Sequence, residues 1–242
     1  MSKTIFEYTG TSNLEVMQEA VRYNSFLVSL ILNRTQSPQK MLDIGAGIGV
    51  LAEKIRDAGH TVVCMEPDVQ QAAILKAKGF EVYTSLDDIP DENFDWVYAF
   101  NVLEHIADDK QALKEWCKKL RTINEGGGKI LVYVPAFKIL FSSMDRQVGH
   151  FRRYRKKELT GKIRQTGLVP AGSAHYADSL GFLAALIYKL TNKSGCISRK
   201  NLIFYDRYCF PLSRIGDLLF GKLFGKNVWI IAEKACVSEN NK

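Results

Sequence analysis

No stretch of this chain is apolar for long enough to cross a bilayer. The longest run, Leu180 to Tyr188, is about half of the ~20 residues a spanning helix needs. The N-terminus lacks the basic-then-apolar pattern of an export leader, which predicts a cytoplasmic protein. The five cysteines, Cys64, Cys117, Cys196, Cys209 and Cys236, include no C-x-x-C pair. That predicts free thiols rather than disulfides or a zinc site. Acidic residues are scarce in the second half. Residues 1–135 carry 14 Lys and Arg against 19 Asp and Glu, whereas residues 136–242 carry 19 against 7. Such asymmetry suits a partner that is phosphate, membrane surface or nucleic acid, or else a solubilising surface. A hydrophobic fraction of 46% over 242 residues is ample for the core of one α/β domain with a cap.

What is present is organised around Met41-Leu-Asp-Ile-Gly-Ala-Gly-Ile-Gly-Val50. A short apolar run, read as a buried strand, passes through Gly45, Gly47 and Gly49 into helical periodicity from Leu51 to Ala58. A strand that turns into a helix through glycines presents bare backbone N–H groups to a ligand. Asp43, at the end of the strand, can hold those amides or accept from a ligand cation. The spacing G-x-G-x-G departs from the G-x-G-x-x-G of dinucleotide sites, which argues against a dehydrogenase.

Leu14 to Leu32 has roughly helical period, with Ser12 or Asn13 placed to cap it and the polar pair Tyr23-Asn24 at its middle. Strands are predicted at Thr61–Glu66, Phe80–Tyr83, Phe94–Asn101, Ile130–Val134, Leu168–Tyr176 and Asn227–Lys234. Helices are predicted at Val69–Lys78, Asp109–Ile123 and Lys156–Gln165, with a glycine turn at Glu125–Lys129. This alternation implies a parallel sheet wrapped by helices. Two segments exceed it. Ala136–Tyr154 is rich in Ser, Arg and aromatics. Asp178–Gly225 contains the apolar Leu180–Leu190 and then interleaved aromatic and basic residues from Phe204 to Phe224. Both are placed to cap the carboxyl ends of the strands.

The string D-x-G-x-G-x-G at 43–49 is followed by F-D-x-V-x-x-x-N-V-L-E-H-I from Phe94 to Ile106 and by G-H-x-R-R-Y from Gly149 to Tyr154. Together these resemble class I S-adenosyl-L-methionine (SAM)-dependent methyltransferases of the kind often associated with glycan, lipid or secondary-metabolite pathways. The resemblance implies a Rossmann-like, seven-stranded, mostly parallel sheet with helices on both faces, the seventh strand antiparallel between the fifth and sixth, plus a helical cap. The expected single domain divides into an N-terminal helix or lid at 1–37, a SAM-binding core at 38–135, substrate-side insertions at 136–226 and a final strand at 227–235. SAM is the expected cofactor, with S-adenosyl-L-homocysteine as its product. Its expected binding residues are Asp43, Gly45, Ala46, Gly47, Gly49, Glu66, Pro67, Ser85, Leu86, Asn101, Val102 and Tyr23. Glu66 takes the ribose hydroxyls, and Ser85 and Leu86 lie by the adenine.

The expected reaction is methyl transfer to an oxygen or nitrogen of a small-molecule, glycan- or lipid-type acceptor, with an anionic acceptor favoured by the basic half. His105 and His150 are the candidate bases. Arg152, Arg153, Tyr154 and Tyr176 are the candidate substrate contacts. No metal is expected. The acid-x-x-acid-His run that binds a divalent cation in quinone and phenol O-methyltransferases has Asn101 here in place of its first acid. An RNA or DNA methyltransferase is the alternative enzyme, weakened by the absence of an N-P-P-Y-type tetrapeptide after the fourth strand. A non-catalytic SAM-binding protein is the alternative outside catalysis. Peripheral membrane association is a further expectation, raised by Leu180–Leu190; the oligomeric state is not legible.

Overall fold

The computed structural model describes residues 16–35, 38–122, 128–191 and 198–234. The predicted caps Ser12 and Asn13, and most of the glycine turn at 125–129, lie outside these residues. Five parallel strands, β1 (Lys40–Ile44), β2 (Thr61–Met65), β3 (Glu81–Tyr83), β4 (Trp96–Phe100) and β5 (Lys129–Pro135), form most of one sheet. The strand order is β3-β2-β1-β4-β5, followed by β8 (Asn227–Lys234) and β6 (Leu168–Pro170). β8 runs antiparallel to β5.

The parallel strands read as continuous apolar runs because helices cover both of their faces. Alternation still sorts them. Leu42, Val97 and Val132 pack into one core, and Met41, Trp96 and Leu131 into the other. The flanking helices are α1 (Val21–Leu32), α2 (Val50–Asp57), α3 (Val69–Ala77), α4 (Asp109–Lys119), α5 (Ser143–Gln147) and α6 (Lys156–Arg164).

Three expectations change. The sixth strand is two short ones, β6 (Leu168–Pro170) and β7 (His175–Ala177), each antiparallel to β8. The Ala171 N–H still donates to the Ile231 carbonyl at 2.9 Å, and the chain then leaves the ladder over 171–174 before rejoining β8. The sheet therefore has eight strands rather than seven. The first predicted helix is interrupted: Val16 and Met17 are helical, the chain turns at 18–20, and α1 runs from Val21, with buried Asn24 donating Nδ2–H back to the Met17 carbonyl at 3.0 Å. Helix α4 stops at Lys119, because Leu120 is drawn into a bridge with Phe94.

The long insertion becomes α7 (Ser179–Thr191), α8 (Arg199–Phe204), a π-helical turn at Tyr205–Cys209, and α9 (Phe210–Phe220). Three buried carboxylates fasten it. Asp206 accepts from the N–H groups of Arg22 and Tyr23 at 3.0 and 2.8 Å, which caps α1 from the insertion. Asp217 accepts from the N–H groups of Asp178 and Ser179 at 2.9 and 2.8 Å. Asp178 accepts from Ser213 Oγ and from the Gly181 N–H at 2.8 and 3.0 Å. The inner side of α7 packs on α9, while Leu183 and Leu190 stand outward, 48% and 76% exposed.

Candidate active site

The sheet order lines up the carboxyl ends of β3, β2, β1 and β4. At those ends stand Ser85 and Leu86, then Glu66 and Pro67, then Asp43 with the glycine loop, then Asn101 and Val102. The loop is wound through positive φ at Gly45 (+70°), Gly47 (+59°) and Gly49 (+86°). A Cβ on Gly45 would meet Val102 Cγ2 at 2.6 Å. Glycine is thus required both for the turn and for the close approach of β4's tip. Glu66, buried, accepts from the Gly47 N–H at 2.8 Å and from the Asp68 N–H at 3.0 Å. It ties the second strand's tip to the loop, and each oxygen keeps lone pairs for a ligand hydroxyl. Burial raises its pKa, and the two amides oppose the rise. Asp43, also buried, is pushed up to about 8 by burial. Ser85 caps a short 3₁₀ turn by accepting from the Asp87 N–H, and Leu86 packs at the core's rim.

Asn101 carries φ +55°, a left-handed conformation that asparagine tolerates better than other side chains. Its Oδ1 accepts from Asn227 Nδ2 at 3.3 Å. Tyr23 reaches the same place from α1. Its hydroxyl bonds that of Tyr133 at 3.3 Å and its ring packs edge-on against Phe210 of α9 at 5.4 Å. Burial pushes this phenol up to about 12, so it is a donor rather than a phenolate at neutral pH.

Beyond Asn101 the chain enters a short 3₁₀ turn, Leu103–His105. Here the structure joins residues 45 apart in sequence: the rings of His105 and His150 are 4.5 Å apart and edge-to-face. His150 Nδ1 lies 2.7 Å from Asp145 Oδ1, and its Nε2 lies 3.8 Å from Glu104 Oε1. Ser142 and Asp145 form a capping box at the start of α5, which places the carboxylate. Arg153 grips the same carboxylate through Nε and Nη2 at 2.8 and 3.0 Å. Burial alone would raise the Asp145 carboxyl. The bonds from His150 and Arg153 outweigh it and hold Asp145 well below the usual carboxylate range. Ionised Asp145 keeps the Nδ1 proton on His150 and leaves Nε2 as the acceptor. His105 is lowered to about 4 by burial and then by His150, against a bond to the Val148 backbone, so it is neutral at pH 7. Glu104 is fully buried, neither oxygen has a hydrogen-bond partner among the described residues, and burial pushes it up to about 8.

The proposed substrate contacts fare differently. Tyr154 is fully buried and donates to Asp109 Oδ2 at 2.9 Å. Arg152 pairs with the same Asp109 at 2.7 Å and donates to the Ala107 carbonyl. Arg153 is spent on Asp145. Tyr176 is buried against Phe137, with Lys156 over its ring. In this structure the G-H-x-R-R-Y run forms an internal clamp, with Arg152 and Arg153 paired to buried acids. Each cation meets a buried acid that sequence spacing does not reveal. The metal-free expectation also meets a new fact. Glu104, His105 and His150 place one donor atom each within 4.8 Å of one another, with His150 arriving from outside the local run. Of the partners missed by sequence, only Asp145 carried a signal, the S-x-x-D capping pattern at 142–145.

A family model described as a methyltransferase domain matches residues 17–170. The chain belongs to that family. Its fold is that of class I SAM-dependent methyltransferases. A ubiquinone biosynthesis O-methyltransferase of Idiomarina loihiensis is 26% identical over 139 residues, covering 52% of each chain. The chain spans a little over half the length of the curated relatives it matches. Among solved structures, a Haloferax volcanii methyltransferase in complex with the Trm112 methyltransferase activator superposes with TM-score 0.61 at 14% identity, covering 93% of this chain and 96% of that one. Phosphoethanolamine N-methyltransferase 2 of Haemonchus contortus, in complex with SAM, gives 0.59 at 16% identity, covering 88% and 52%. At such identities the structures speak for the fold. No helix among the described residues is long and apolar enough to cross a membrane.

Proposed function

We propose that this methyltransferase transfers a methyl group from SAM to an acidic hydroxyl of a small-molecule acceptor, with His150 as the general base. The observation that carries this reading is the Asp145–His150 pair beside Glu104 and His105, immediately beyond the glycine loop and Val102. The residues at the strand tips fit SAM: a Cβ-free loop, carboxylates at the tips of β1 and β2, and a capping serine after β3. Bound SAM supplies a methyl group on a cationic sulfonium. The protein must then hold the acceptor oxygen in line and take its proton. His150 Nε2 has a free lone pair for that proton, and Asp145 stabilises the imidazolium that results. An amine acceptor needs no such base if it binds neutral, so the dyad favours oxygen. The O-methyltransferase name of the matched relative points the same way.

Deletion of the base, His150→Ala, should lower kcat by about 10²–10⁴-fold with SAM affinity retained. The reaction is followed as S-adenosyl-L-homocysteine release over a panel of phenols and hydroxylated quinols. Unchanged kcat in the variant would remove His150 from the chemistry. A second reading is supported by the unpartnered Glu104 carboxyl: a divalent cation held by Glu104, His105 and His150 that lowers the acceptor's pKa instead. The readings part on chelation. The base mechanism survives it, whereas the metal mechanism is lost and is restored by Mn²⁺, Zn²⁺ or Mg²⁺.

A further inference from the structure

The outward face of α9 inverts the pattern of a surface helix. Leu212, Ile215, Leu218 and Leu219 are 60%, 62%, 82% and 73% exposed, and Tyr208 in the π-helical turn before the helix and Leu223 just after it are 54% and 69% exposed. Steps of three and four residues keep them on one face. Phe210 and Ser213, on the opposite side, are already buried against the body of the protein. The helix thus carries apolar side chains outward as well as inward, although among the described residues only its inner side has a protein partner. Such a run of solvated leucines exceeds the scattered apolar residues normal on a monomer's surface.

The charges around it have one sign. Asp206 and Asp217, the acids of this segment, are turned inward onto the N–H groups of Arg22, Tyr23, Asp178 and Ser179. The exposed charged residues from 198 to 223 are Arg199, Lys200, Arg207 and Lys222, all cationic.

We propose that this face docks on an anionic lipid bilayer, with α9 lying in the plane of the headgroup–acyl boundary. An apolar stripe flanked by cations and free of exposed acids is complementary to that boundary. A second copy of the chain is a poorer occupant. A two-fold contact through this face would bring Arg207 and Lys222 against the same residues of the partner copy, with no exposed acid to offset them. The helix lies on the membrane rather than spanning it, since α9 has only 11 residues. Helix α7, packed on α9, adds the exposed Leu183 and Leu190 to the apolar surface. Because Phe210 on the inner side of α9 packs on Tyr23 at the strand tips, docking sets the cap of the cofactor site against the bilayer.

The test is vesicle flotation, which reads no turnover and is therefore independent of the methyl-transfer assignment. The full chain is mixed with vesicles of phosphatidylcholine alone or with added phosphatidylglycerol. The wild type should float with the anionic vesicles and progressively less as salt is raised. Arg207→Gln and Lys222→Gln should each lower partitioning about fivefold. The triple variant Leu212→Ser/Ile215→Ser/Leu219→Ser should stay in solution with its thermal midpoint unchanged, since those side chains touch solvent in the fold. Three results overturn the proposal: wild type that floats with neither vesicle at low salt, a triple variant that floats as well as wild type, or a solution dimer of the wild type that the triple variant dissociates.

Discussion

Glu66 holds two backbone N–H groups, one on its own turn and one on the glycine loop, so its carboxylate is positioned before any ligand arrives. That preorganisation is why a ribose diol should find a fixed acceptor there. Glu66→Ala should weaken SAM binding by about 1.5–3 kcal/mol, the worth of hydrogen bonds to a charged group. Calorimetry reads it directly, and unchanged affinity in a folded variant would show that the ribose is held elsewhere. At this scale the sequence was informative about donors and silent about pairings. His105 and His150 could be named from their strings, but their adjacency could not. Neither could the bonding of Arg153 to Asp145 or of Tyr154 to Asp109, since each joins elements that fold together only in space.

The segment from Ser142 to Arg153 acts as one element. A capping box starts it, Gly149 turns it at φ +78°, and the Phe151 N–H donates to the Glu104 carbonyl at 2.8 Å, docking it beside the end of β4. Its fastener is the two-pronged Arg153–Asp145 pair, whose side chains are 10% and 1% exposed. Removing one member of so buried a pair strands the other, at a cost of about 3–5 kcal/mol. Arg153→Ala should lower unfolding stability by that amount in urea titration, and Arg153→Lys should recover only part, because an ammonium cannot form the fork. A loss under about 1 kcal/mol would free Arg153 for the acceptor role that its string suggested. The adjoining elements were legible unevenly. The parallel strands were read nearly to the residue from their apolar runs. The sixth strand was not, because nothing local says that the bend after Pro170 splits it.

The protein buries carboxyls at the strand tips, Asp43 and Glu104, whose burial outweighs the charges and hydrogen bonds around them, and that gives its stability a pH dependence. Glu104 is raised by burial from 4.5 to about 8. A carboxyl raised in the fold contributes stability that is fully present below its unfolded pKa and is lost as pH climbs through the folded one. The thermal midpoint should therefore fall between about pH 5 and pH 8, and Glu104→Gln should flatten that fall. An equal slope in the variant would assign the loss to Asp43 or to other groups. The sequence by itself determined the parallel sheet, the glycine loop, the acid at the second strand's tip and the existence of the last strand, whose antiparallel direction followed only from the family resemblance. These rest on local conformational need and on the burial of contiguous apolar runs, which a linear pattern records. It also determined the excess of positive charge in the second half. Only the tertiary structure decided where that charge goes. Arg152 and Arg153 turn in to buried acids, while Arg207 and Lys222 stay out beside a solvated row of leucines. Which partner a long side chain finds, and which face of a largely apolar helix meets water, depend on the packing of segments far apart in the chain.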